Sequence, residues 1–131
     1  MSNWWNKIKK SEKGQSLVEF ALVLPVFIVL LFGVMEFGRL WETVNVMTSA
    51  AREGARMAAI NGSESYLATQ ATMNILNAAQ IEDATISIEG PNSADEIIVT
   101  VNVIYTPLTG SIVPGIGTMS LTRSTTMHWE G

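Results

Sequence analysis

From Phe20 to Met35 the chain reads FALVLPVFIVLLFGVM, with no charged or hydrogen-bonding side chain. A helix formed there is apolar on every face. Downstream the pattern changes: Leu40, Val44, Met47, Ala51, Ala55 and Ala58 recur at helical steps, while Glu36, Arg39, Glu42, Asn45, Ser49, Arg52, Glu53 and Arg56 share the other, wet side. One long helix is therefore predicted from about Leu17 to Ile60, stopped by the turn pair Asn61-Gly62. A shorter helix follows over Ser63 to Ala79, with Leu67, Ala71, Ile75 and either Ala78 or Leu76 on its apolar side.

After Ala79 the period becomes two. Ala84 to Glu89 places Ile86 and Ile88 inward, and Glu96 to Tyr105 places Ile97, Val99, Val101, Val103 and Tyr105 on one face. The Gly90-Pro91-Asn92-Ser93 turn between them predicts a hairpin, and Thr106-Pro107 stops the second strand. Leu108 to Thr118 (LTGSIVPGIGT) is a glycine-rich apolar loop whose Ile112, Val113 and Ile116 either pack on the head or meet a partner. A third strand, Met119 to Met127, closes the sheet. The fold class is α+β, a long N-terminal helix on a small antiparallel sheet of about three strands.

Charge sharpens this picture. The 131 residues carry a formal charge of −4 and only 15% charged residues, against roughly 25% in soluble domains. Residues 1–14 hold four lysines against one glutamate, a charge of +3, and the rest holds four arginines against eleven acidic residues, a charge of −7. A basic head, an apolar run and an acidic body describe a single-pass membrane protein with the lysines cytoplasmic and the body exported. The run between Glu19 and Glu36 is 16 residues, or about 24 Å at about 1.5 Å per residue. A span needs about 17–25 residues, so Leu17 and Val18 are expected to join it. A secretory leader would need small residues just after the run, and Glu36-Phe37-Gly38-Arg39-Leu40-Trp41 stands there instead. Trp4 and Trp5 suit the cytoplasmic interface, Trp41 the opposite one, and Trp129 the end of the sheet.

Composition excludes much chemistry. There is no cysteine and one histidine, His128, hence no disulfide framework, thiolate site or multi-histidine metal cage, and a Ser/His/Asp hydrolase would depend on His128 alone. Gly110 and Gly115 have phosphate-loop spacing, but no Lys-Ser/Thr pair follows the second glycine. The acidic balance argues against a nucleic-acid partner. No enzyme, no metal and no cofactor is expected.

One group breaks the apolar pattern at its mouth. Glu19 stands fifth after Gly14, where the basic segment ends, and an ionisable group at the edge of hydrocarbon is a functional feature by default. It also suits the positive end of a helix dipole. The string Gly14-Gln15-Ser16-Leu17-Val18-Glu19-Phe20 resembles the processing site of type IV prepilins. More closely, residues 14–41 followed by Ala50 to Ala59 (AAREGARMAA) resemble the TadE-like family, pseudopilins of the Tad (Flp, type IVb) pilus system. The Glu19-Phe20 pair, Leu24-Pro25, the Glu36/Gly38/Arg39 cluster and Ala51 to Arg56 carry the resemblance, and the last third matches only in style.

The resemblance implies a type IV pilin-like fold and cleavage between Gly14 and Gln15 by a prepilin peptidase, leaving Gln15 as the new N-terminus. Expected partners are that peptidase, a major pilin and other minor pilins, an inner-membrane assembly platform and the lipid bilayer. Physical chemistry gives the same residues roles: Glu19 can neutralise the ammonium of Gln15 on its own or a neighbouring chain, which fixes register. Pro25 is expected to kink the helix without ending it. Ala51, Gly54, Ala55 and Ala58 leave room for a sheet laid across the helix. The implied organisation is a leader at 1–14, a transmembrane half-helix at 15–35, an exported half at 36–62 and an α+β head at 63–131. The rival expectation is an uncleaved signal anchor that presents a small extracytoplasmic binding module.

Overall fold

The structure, a computed structural model, describes residues 4–64 and 66–131, with side chains from Glu12 onward. The interfacial roles expected of Trp4, Trp5 and Lys7, Lys9 and Lys10 concern side chains outside the described set, and Ser65 of the expected second helix is outside it too. The elements are α1 (Trp4–Asn61), α2 (Tyr66–Ala78), β1 (Ala84–Glu89), β2 (Glu96–Tyr105), a short 3-10 helix (Leu108–Ser111) and β3 (Met119–His128). The chain divides into two units between Glu36 and Phe37.

The first unit is the N-terminal part of α1. The helix begins at Trp4, not beside Leu17 as expected, and Gly14 does not interrupt it. Lysine, glutamate, glutamine and leucine between Lys7 and Leu17 are good helix formers, and one interior glycine costs only about 1 kcal/mol. Helix nucleated downstream propagates through such a segment. Pro25 lies inside α1 and does not end it, although it cannot bond the carbonyl of Ala21.

The second unit joins residues 37–61 of α1, α2 and the sheet. The three strands run antiparallel in the order β1-β2-β3, with Ile86 opposite Val101 and Val101 opposite Arg123. The inward face of β2 is buried from Ile97 to Tyr105, and it meets Met47, Ala50, Ala51, Ala55 and Ala58 of α1 together with Ala68 and Leu76 of α2. The outer face is polar, where the Thr100 and Ser124 hydroxyls lie 3.0 Å apart and Asn102 Nδ2 donates to Thr122 Oγ1 at 3.2 Å. Between Leu108 and Thr118 the expected loop contains the 3-10 helix, closed by Ile112 N–H donating to Thr109 O at 3.0 Å.

Three contacts fix how α1 lies on β2. The Arg39 guanidinium carbon is 5.7 Å from the Tyr105 ring centroid. A Cβ built on Gly54 would come within 3.3 Å of Val99 Cγ1, and one on Gly62 within 3.6 Å of the Trp129 ring, and the Trp129 backbone N–H donates to Asp95 O at 2.6 Å. Helix and strand therefore run antiparallel. The spacings agree: from Arg39 to Gly54 is about 22 Å of helix, and from Tyr105 to Val99 about 20 Å of strand.

Two local expectations change. Arg39 is half-buried over Tyr105 and does not stand in open water, because its long stem covers apolar surface while the charge faces the ring. On α2 the buried positions are Ala68, Thr72 and Leu76, while Leu67 is exposed and Ala71 and Ile75 only flank the core. The helix is turned so that Thr72 faces Gly54 of α1, and the buried Thr72 hydroxyl is satisfied by donating to Ala68 O at 2.9 Å.

Candidate functional site

The segment expected to be processed and the apolar run are one stretch of helix. Gly14, Gln15, Glu19, Phe20 and Pro25 all lie within α1, and each is exposed. Gln15 and Glu19 are one turn apart and share a helix face. Glu19 has no hydrogen-bond or ion-pair partner among the described residues. A Cβ on Gly14 would meet nothing within 4 Å, so the fold itself has no steric need for glycine there. The most apolar part of α1 is wholly unburied, with Leu22 and Val34 71% and 74% exposed. Such a surface in water would be a severe liability, whereas hydrocarbon removes the cost. This helix is long and apolar enough to cross a membrane.

In the second unit, the small residues of α1 lie against the head. Ala51, Ala55 and Ala58 are fully buried. Gly54 is also buried, and a Cβ there would overlap Thr72 Oγ1 of α2. Two helices and a strand converge at Gly54, where Thr72 and Val99 leave no room for a Cβ. The hydrophobic periodicity did not show that α2, as well as the sheet, makes this approach.

At the surface of the same helix stretch, Glu53 and Arg56 form a two-point pair, Nε to Oε2 at 3.0 Å and Nη2 to Oε1 at 2.7 Å. The hydrogen bond from Arg56 holds the Glu53 carboxyl below its ordinary value. A carboxyl lowered in the folded state contributes stability above its unfolded value, and the contribution disappears as the pH falls through the lowered folded value. Glu53→Gln is therefore expected to cost a little stability at pH 7 and nothing at a pH below that value. Thermal melts of both proteins at neutral and acid pH check this, and an equal deficit at both would refute it. The pair is solvent-exposed, so the effect is small.

Towards the start of the second unit, Phe37 and Trp41 stack with centroids 6.3 Å apart while remaining 66% and 62% exposed. Among the described residues, no three His, Asp or Glu side chains are grouped to hold a metal ion.

Residues 14–56 match the TadE-like protein family. The likeness is confined to that segment. The matched segment begins at Gly14 and ends at Arg56, so it takes in the apolar helix and most of the α1 residues in the core, but neither α2 nor the sheet. Comparison with curated proteins and with solved structures gives no match. The apolar helix within the matched segment is a candidate membrane anchor.

Proposed function

We propose that this chain is a minor pilin or pseudopilin, cut between Gly14 and Gln15 by a prepilin peptidase and used to assemble or initiate a Tad/Flp-type pilus for adhesion or secretion. Residues 15–35 hold it in the inner or cytoplasmic membrane, with the lysine-rich N-terminus cytoplasmic and the α+β head extracytoplasmic. The observation that carries this reading is the family match that starts at Gly14 and continues through a helix whose apolar surface nothing in the chain covers. Leader, anchor and exported head meet the peptidase, the assembly platform and the other pilins in turn. The work is structural and not enzymatic.

Mass spectrometry of the protein from membranes tests it. A chain beginning at Gln15 supports the reading, and an intact Met1 to Lys13 segment overturns it in favour of an uncleaved anchor that presents a binding module.

Within this reading Glu19 neutralises the ammonium of Gln15, with Pro25 shaping the helix that brings neighbouring subunits into register. An unpaired charge at the centre of a bilayer costs about 2.5–3.5 kcal/mol, and somewhat less at its edge. Glu19→Ala should insert normally yet reduce piliation by roughly tenfold or more, since each 1.4 kcal/mol is a factor of about ten. Unchanged piliation, counted by microscopy against an equal amount of membrane-inserted protein, would remove the register argument.

A further inference from the structure

We infer that the loop between β2 and β3 is a second membrane contact, lying in the outer headgroup layer beside the point where α1 leaves the bilayer. The inference rests on the membrane reading of residues 17–35 and adds a lipid-binding surface to the head. From Thr106 to Thr122 the chain carries no Asp, Glu, Lys or Arg, in a protein whose exported part is otherwise acidic. Within that stretch Leu108, Ile112, Val113, Ile116 and Met119 are exposed, Ile112 by 61%.

The register of α1 on β2 decides where this patch lies. Tyr105, the last residue of β2, sits under Arg39, so the loop emerges at the Phe37 end of the second unit, opposite the Gly62 and Trp129 end. That is the end at which the chain passes directly into the apolar run. A bilayer around residues 17–35 therefore has its surface within a few residues of Phe37, next to the uncharged loop. Exposed Phe37 and Trp41 at the same end are of the aromatic type favoured at membrane interfaces.

The loop is also prepared for that environment. Irregular backbone is not tolerated in the hydrocarbon itself because its polar groups go unpaired, and here much of it is paired internally. Gly110 N–H donates to Pro107 O at 3.1 Å, Val113 N–H to Thr109 O at 2.8 Å, and the Ser111 hydroxyl to Leu108 O at 2.8 Å. Its apolar side chains can thus enter the headgroup and acyl boundary, a depth of about 5–10 Å for interfacial segments, while the paired backbone stays near the surface.

The chain has no cysteine, so single-cysteine variants report position directly. Leu31→Cys, Ile112→Cys, Ile116→Cys and Ser93→Cys in the full chain are labelled with an environment-sensitive fluorophore. They are then reconstituted in phosphatidylcholine/phosphatidylglycerol vesicles with and without nitroxide-labelled lipid. The expected result is blue-shifted emission and quenching at Ile112 and Ile116 as well as Leu31, with neither at Ser93 in the β1–β2 turn. Quenching at Leu31 without quenching at Ile112 and Ile116 overturns the proposal while leaving the anchor intact. A blue shift at Ile112 without quenching overturns it in favour of a protein, such as a second copy, covering the loop. Absence of quenching at Leu31 overturns the anchor and this proposal together.

Discussion

Replacing Gly14 by alanine or glutamate is expected to abolish processing and leave a membrane-inserted protein that keeps all fourteen leader residues. The strength of this test lies in what the substitution does not disturb. Gly14 sits in a continuous helix, a Cβ there meets nothing within 4 Å, and its backbone is not in the left-handed region. Alanine in place of an interior helical glycine stabilises a helix by about 1 kcal/mol. Failure of cleavage therefore cannot be ascribed to failure of folding or insertion. It reports a contact outside the chain, with a peptidase whose site closes on the backbone where a side chain would intrude. The consequence extends beyond mass: uncut chains have no ammonium at Gln15 for Glu19 to neutralise, and carry a basic segment in its place, +3 with alanine and +2 with glutamate at position 14. Both variants should be found in membranes at the larger mass on immunoblots, and piliation should be lost with them. Normal processing of either one would remove the prepilin reading, whatever the state of the pili.

The parts of the molecule legible in the sequence are those set by local chemistry. β1 and β2 follow from alternating branched side chains bounded by Gly90-Pro91 and Thr106-Pro107, and both strands have the bounds their pattern predicts. The end of α1 at Asn61 follows from Gly62, whose φ of 95° is the left-handed conformation that glycine adopts freely. The start of α1 was obscured because the charge pattern marks a basic segment without saying whether it is helical. The phase of α2 was obscured for a different reason. Leu67 is more apolar than Thr72, yet Thr72 is buried and Leu67 is not, because the gap beside Gly54 admits only a short side chain and the hydroxyl finds its partner within its own helix. The placement of Arg39 on Tyr105 is likewise tertiary.

The candidate site divides along the same line. The processing role proposed for Gly14, Gln15, Glu19 and Phe20 rests on a short linear string, because recognition by another protein needs no fold to assemble it. The apolar loop was not legible in this way, since its sequence suits packing on the head and binding outward equally well. Only its exposure and its position at the Phe37 end of the unit separate the two.

Gly54→Ala is expected to destabilise the head, against the usual effect of removing a glycine from a helix. Helix propensity alone would favour alanine by about 1 kcal/mol. The new methyl would overlap Thr72 Oγ1 and lie 3.3 Å from Val99 Cγ1, and overpacking of this kind costs about 1–3 kcal/mol. Both neighbours belong to packed elements, so neither retreats cheaply, and a net loss of up to about 2 kcal/mol follows. For a domain of this size each kcal/mol corresponds to about 4–8 °C in Tm. Thr72→Ala in the same chain removes the overlapping oxygen and leaves Thr72 Cβ at 3.5 Å, an ordinary contact distance. Because the Ala68 carbonyl still accepts its helical N–H, the removed hydroxyl orphans no buried group. The double variant should therefore regain most of the stability lost in Gly54→Ala, a coupling that appears as non-additivity in a double-mutant cycle. Simply additive losses would show that the glycine is not there for the Thr72 approach. Processing offers an internal control, since a mature N-terminus at Gln15 in all three variants would separate the packing of the head from recognition of the leader.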